Sequence, residues 1–130
     1  MAHGHICLVG AALCRNWQLV QRLAGRHGLT LLRTTAAHDC QVAAMADMVA
    51  IDCGQVGTDA SRALVQSLRR ATDAPIVVLD GGLQAAEVAQ LMSDGARDYF
   101  AEPYNIPLIA ERLEHLADAR RSRREHPEEA

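Results

Sequence analysis

The sequence has no lysine: its 13 Lys-or-Arg positions are all arginine. Any role that calls for a lysine amine therefore goes unfilled. No acid precedes Asp39, so the first strand and its loop hold no carboxylate. Aromatic residues make up only 3%, so the core has to be aliphatic. No apolar run approaches the ~20 residues of a transmembrane helix. The opening Met1-Ala-His-Gly-His lacks the basic flank of a signal peptide, and a cytoplasmic protein is expected. Cys7, Cys14, Cys40 and Cys53 include no C-x-x-C pair and match no zinc-ligand spacing. They read as reduced thiols buried like small hydrophobes, with Cys53 the best placed for redox sensing because it follows Asp52. The chain has no G-x-G-x-x-G and no P-loop, and Gly81-Gly82 is too short to cradle a phosphate. His3 and His5 flank the start of the first strand and make a weak metal pair. No nucleophile-base set is visible, so no enzyme, cofactor or metal is expected. The net charge of -3 offers no field for nucleic acid.

What is present is a regular alternation. At 130 residues, 49% of them hydrophobic, the chain fits one domain with a real core. Ile6-Cys-Leu-Val9, Leu29 to Leu32, Met48-Val-Ala-Ile51, Ile76-Val-Val-Leu79 and Asp98-Tyr-Phe100 read as five strands. The clearest of these runs are apolar throughout, as expected of strands buried on both faces. Helices are expected between and after them. One starts near Asn16 and carries Leu19, Val20, Leu23 and Ala24. The next runs from Ala37 to Ala46 with Val42 and Met45 on one face. A third is capped by Thr58 or Asp59 and carries Leu64, Val65 and Leu68. A fourth holds Val88, Leu91 and Met92 and stops at Gly95. The last is capped by Asn105, with Leu108, Ile109, Leu113 and Leu116 following. Alternation of this kind predicts an α/β fold, with a doubly wound parallel sheet of five strands. The domain is expected over 1–118. Residues 119–130, rich in arginine and glutamate without apolar periodicity, read as a frayed helix end or linker.

In open α/β sheets, ligands bind outside the carboxyl ends of the strands. There the assignment places Gly10-Ala11, Asp52, Asp80 and Ala101-Glu102-Pro103. Three segments, Met48-Val-Ala-Ile-Asp52, Pro75-Ile-Val-Val-Leu79 and Gly95-Ala-Arg-Asp-Tyr99-Phe-Ala-Glu-Pro103, resemble the receiver domain of bacterial response regulators. The resemblance covers roughly residues 5 to 118. It implies the flavodoxin-like (βα)5 fold with strand order 2-1-3-4-5. It sets Asp52 at the phosphoacceptor position and Tyr99 at the switch aromatic. It also implies dimerisation or output contact through the fourth helix, fifth strand and fifth helix, here residues 84 to 94, 98 to 100 and 106 to 117.

Departures from the family pattern fall on the chemical positions. Gly10 and Ala11 stand where the family has two acids that hold Mg2+. Asp80 replaces the Ser or Thr that contacts the phosphoryl group. Glu102 replaces the lysine that neutralises it. Phosphoryl transfer depends on metal and cationic groups, which these residues do not provide. The expectation is an atypical receiver, a pseudo-receiver. It would serve signalling as an interaction module, as a homodimer or with an output domain, and without Mg2+-dependent phosphorylation. Two alternatives stay open: a phosphorylation-competent receiver, and a small-ligand or metal sensor at the same edge. Plainer roles also stay open. Asp52 can hydrogen-bond the loop from Cys53 to Gly57, Asp80-Gly-Gly can be a simple turn, and Glu102 a solvated acid. Arg15 could reach the cluster and pair with it.

Overall fold

The computed structural model describes residues 3–10, 17–32, 40–52 and 58–125. Along the chain run β1 (Ile6–Gly10), α1 (Trp17–Ala24), β2 (Leu29–Leu32), α2 (Cys40–Ala43) and β3 (Met48–Asp52). These are followed by α3 (Thr58–Ala71), β4 (Ile76–Leu79), α4 (Ala85–Asp94), β5 (Asp98–Phe100) and α5 (Ile106–Glu125). All strand pairs are parallel, in the order β2-β1-β3-β4-β5. The expected fold class and strand order are both observed.

The central strands are largely apolar because each feeds two cores. Successive side chains point to opposite faces of a sheet. Val49 and Ile51 of β3, with Ile76 and Val78 of β4, pack on one face with Val65, Leu68 and Leu91. Met48, Ala50, Val77 and Leu79 pack on the other with Leu19 and Leu23 of α1 and Ile109, Leu113 and Leu116 of α5. Each fully buried aliphatic side chain of this kind contributes roughly 1.5–3 kcal/mol. Alternation within β3 and β4 thus supplies buried side chains to both layers.

Local signals end the helices as expected. Gln84 and Glu87 form a capping box at the start of α4. Gly95, at φ +125°, closes the same helix in a conformation that a Cβ would strain. Asn105 Oδ1 accepts the Leu108 amide, capping α5. In α1, Leu19, Val20 and Leu23 are buried, whereas Ala24 is exposed.

One expectation needs correction. Val42 and Met45 do share a side of the α2 segment, but they face solvent, 45% and 78% exposed; Ala43 and Ala46 are the residues that face the core. The small pair joins the cluster that holds Cys7, Val9, Val49 and Ile51. The charged tail expected from residue 119 begins inside a helix. Helix α5 passes through that position and continues to Glu125. Its last turns are held by charge rather than by apolar packing. Asp47 has no exposed surface and accepts from Arg124 Nη1 at 2.8 Å, with Arg120 at 3.5 Å and Arg121 at 3.9 Å. Arg120 also reaches Asp73.

Candidate functional site at the carboxyl edge of the sheet

The carboxyl ends of β1, β3 and β4 bring the candidate residues together by register alone. Asp52 closes β3, opposite Gly10 on β1 and Leu79 on β4. A Cβ built on Gly10 would lie 3.5 Å from Cβ of Asp52, an ordinary contact. The missing acid at residue 10 is therefore not imposed by backbone crowding. Ala11, Arg15 and Cys53 to Gly57 lie outside the described residues, and so do Cys14 and Asn16.

Asp80 is buried directly after β4. Its Oδ1 accepts the Gly82 amide at 2.9 Å, the side-chain turn that the Asp-Gly-Gly sequence favours. Its backbone amide donates to Phe100 O, and its carbonyl accepts the Tyr99 hydroxyl. Tyr99 is half-buried and packs against the core on the α3–α4 face. The aromatic position and the end of β4 are thus joined by a hydrogen bond as well as by strand pairing.

Glu102 follows β5 and precedes a cis peptide to Pro103. Although exposed, it is not detached from the site. A Cβ on Gly81 would meet Glu102 Cδ at 2.7 Å and Oε2 at 2.9 Å, so this carboxyl lies against the turn that begins at Asp80. Only glycine at residue 81 allows that approach. The structure therefore brings Gly10, Asp52, Asp80, Tyr99 and Glu102 to one edge. Its chemistry is acidic: three carboxylates mark the ends of three neighbouring strands.

Outside this edge the structure re-pairs His3 and His5 and adds His27 and Asp47, which the sequence reading missed. His5 does not pair with His3; its Nε2 lies 2.6 Å from Thr30 Oγ1. His3 instead meets Asp118, and His27 is buried nearby. Asp47 gathers the arginines of α5 from far along the chain. An acid placed just before an apolar strand was the available signal for Asp47, but its partners are 73 or more residues away, at Arg120 to Arg124. Cys7 is fully buried, as expected for a thiol of this type.

No family model matches the chain. The transcriptional regulatory protein KdpE of Staphylococcus aureus is 27% identical over 79 residues, 61% of this chain. The match spans about a third, 34%, of that relative. The signal receiver domain of the putative response regulator NarL from Mycobacterium tuberculosis superposes with TM-score 0.73 at 14% identity, over 90% of this chain and 98% of the other. The pilus assembly protein CpaE from Caulobacter crescentus gives 0.70 at 19% identity, over 91% and 96%. A response regulator from Burkholderia pseudomallei, solved with a phosphorylated aspartic acid, calcium ion and citrate, gives 0.70 at 22% identity, over 97% and 75%. The chain has the fold of response-regulator receiver domains. Among the described residues no helix is long and apolar enough to cross a membrane.

Proposed function

We propose that this chain is an atypical receiver domain, a cytoplasmic signalling and protein-interaction module that works without Mg2+-dependent phosphorylation of Asp52. One observation carries the reading: acids occupy the edge where phosphoryl transfer needs cations. Glu102 lies on the Asp80–Gly81 turn, Asp80 is buried beside it, and Gly10 brings no metal-binding carboxylate. A transferring phosphoryl group carries negative charge over its oxygens, and catalysis relies on metal and cationic groups to offset it. The Burkholderia regulator has a phosphorylated aspartate; on the receiver reading Asp52 is the candidate for that position, and the acids Asp80 and Glu102 distinguish its surroundings.

Titration with beryllofluoride and Mg2+, followed by intrinsic fluorescence or NMR, tests this. No saturable, Asp52-dependent change is expected. A saturable change lost in Asp52→Ala would overturn the reading and favour a working phosphoacceptor.

The partner surface proposed with it is the α4–β5–α5 face. Met92 on α4 and Leu108 on α5 are 40% and 53% exposed, and Asp98 and Arg112 pair between β5 and α5 at 3.1 Å. A face with exposed apolar residues and ordered charges suits a second copy of this chain or an output partner. Sedimentation at high concentration should show a dimer that Leu108→Asp disperses. A monomer at every concentration would remove the homodimer.

A further inference from the structure

We propose that the groove between the ends of α3 and α4 and the flank of α5 binds a small anion carrying several phosphate groups. The groove lies before β4 and β5, at the end of the sheet opposite Asp52, and has a volume of about 430 Å3. That volume falls within the range of small-molecule sites, roughly 300–1,000 Å3. Its walls carry four arginines, Arg69, Arg97, Arg112 and Arg123, against one acid, Asp73. In a chain whose net charge is -3, so one-sided a lining is a local excess and not a property of the whole surface.

Helical spacing sets the α5 side of the groove. Arg112, His115, Leu116, Ala119 and Arg123 follow one another at i, i+3, i+4, i+7 and i+11, a single stripe of the helix. Arg112 and Arg123 are thus three turns apart, about 16 Å along the axis, and mark two stations of a groove rather than one point. Arg97 enters from the opposite wall, just before β5. A guanidinium presents its donors in a planar fork that matches phosphate oxygens. Guanidinia spaced along a groove suit phosphates joined in a row better than a single carboxylate. None of the described residues that line it is Phe, Tyr or Trp, so the groove offers a nucleotide base no ring to stack on beyond the His115 imidazole.

The negative groups around the groove already have cations of their own. Helices α3 and α4 end beside it, and the carbonyls at a helix end repel anions. Arg69 offsets them by donating to Thr72 O, Ala74 O and Gly95 O at 2.7, 2.6 and 3.1 Å. Asp73 accepts from Arg120, and Asp98, next to Arg97 in the chain, accepts from Arg112. Arg97, Arg123 and His115 are not spent in this way: among the described residues none of the three makes a hydrogen bond or ion pair. Arg97 and Arg123 therefore leave two positive charges on the groove that nothing in the fold uses. The site does not rest on the α4–β5–α5 face as a partner surface, although Met92 and Arg112 belong to both.

Isothermal titration calorimetry of the full chain with sodium tripolyphosphate tests the proposal, with orthophosphate and ATP as comparisons. The chain is kept at a concentration where sedimentation shows a single species, so that pairing through the shared face does not enter. One tripolyphosphate per chain is expected, bound at least about tenfold more tightly than orthophosphate. Arg97→Ala and Arg123→Ala should each weaken it about tenfold. Both side chains are exposed and unpaired, so folding is retained. Arg22→Ala, which removes an exposed arginine of α1 outside the groove, should bind as the parent does. ATP should bind no more tightly than tripolyphosphate. Absence of a one-to-one event would overturn the proposal. So would an equal loss in Arg22→Ala, or binding that Arg97→Ala and Arg123→Ala leave unchanged. ATP held about tenfold more tightly would overturn it in favour of a site that reads the base.

Discussion

The two ends of the sheet treat their carboxylates in opposite ways. At the amino end, Asp47 is sealed from solvent and meets Arg120, Arg121 and Arg124, while its Oδ2 accepts the His5 amide at 2.8 Å. At the carboxyl end, Asp80 is buried to a similar degree but spends its Oδ1 on the amide of Gly82, two residues on. The first end joins distant parts of the chain through charge. The second shapes a tight turn and leaves an acidic rim. In a fold whose ligands bind at the carboxyl end, a buried carboxylate at the other end gathers arginines from far along the chain.

The sharpest way to break this contrast is to remove Asp47. Asp47→Ala leaves three arginines facing a gap and the His5 amide without its acceptor. Removing one partner of a buried ion pair costs about 3–5 kcal/mol, and an unsatisfied buried donor about 1–3 kcal/mol. The arginines are partly exposed and can rehydrate, so a loss of about 3 kcal/mol is expected by urea unfolding. Hydrogen exchange should rise in the last turns of α5 before it rises in β3. A loss under about 1 kcal/mol would mean that the two ends are alike in energy.

A second test lies at the amino end too, where α3 and α4 finish before β4 and β5. Gly95 has φ +125°, and a Cβ there would meet Arg69 Cδ at 2.6 Å. Arg69 cannot simply swing aside, since it donates to Thr72 O, Ala74 O and Gly95 O. Gly95→Ala should therefore cost about 2 kcal/mol, from strain together with displaced hydrogen bonds. Arg69→Ala measured alone and in the double variant separates the two contributions: the glycine effect should shrink when the arginine is gone.

A smaller effect is expected at the acidic rim. Tyr99→Phe removes the hydroxyl that donates to the Asp80 carbonyl and leaves the ring packed. A loss of about 1 kcal/mol is expected in thermal or urea unfolding. An unchanged stability would show that water takes over the carbonyl and that β4 and β5 do not need the link.

Much of the carboxyl end was legible in the sequence because its determinants are local. A strand ends where an apolar run meets Asp52 or Asp80-Gly-Gly, and parallel register then brings those ends together. Helix α4 was legible for the same reason, since Gly95 is its own stop signal. The amino end was not legible. Nothing near Asp47 announces arginines more than 70 positions later, and the run from Arg120 to Glu125 shows no apolar period to mark it as helix. Val42 and Met45 show the converse error. Apolar spacing identified a face, but the alanines Ala43 and Ala46 are the residues that joined the core. His27 was hidden because its partners, Gly4 and Glu114, meet it only in three dimensions.

The finest distinction is in pH dependence, at the ion pair that joins α3 to α4. Asp94 accepts from Arg62 at 2.8 Å and from Gln66 at 3.1 Å. The Arg62 hydrogen bond, then that of Gln66, outweighs the cost of burial and holds its carboxyl below the ordinary range. The folded pKa is thus depressed relative to the unfolded chain. Its stabilisation is fully present above the unfolded value, near about 4, and is lost as pH falls through the folded value. Asp73, lowered by Arg120, adds a contribution of the same sign, but it is too exposed to weigh much. Unfolding midpoints measured between neutral and acid pH should therefore fall on the acid side, and Asp94→Asn should flatten that limb while changing the neutral value little. A limb that steepens in Asp94→Asn would show that the carboxylates at the two ends of the sheet, not this pair, control acid stability.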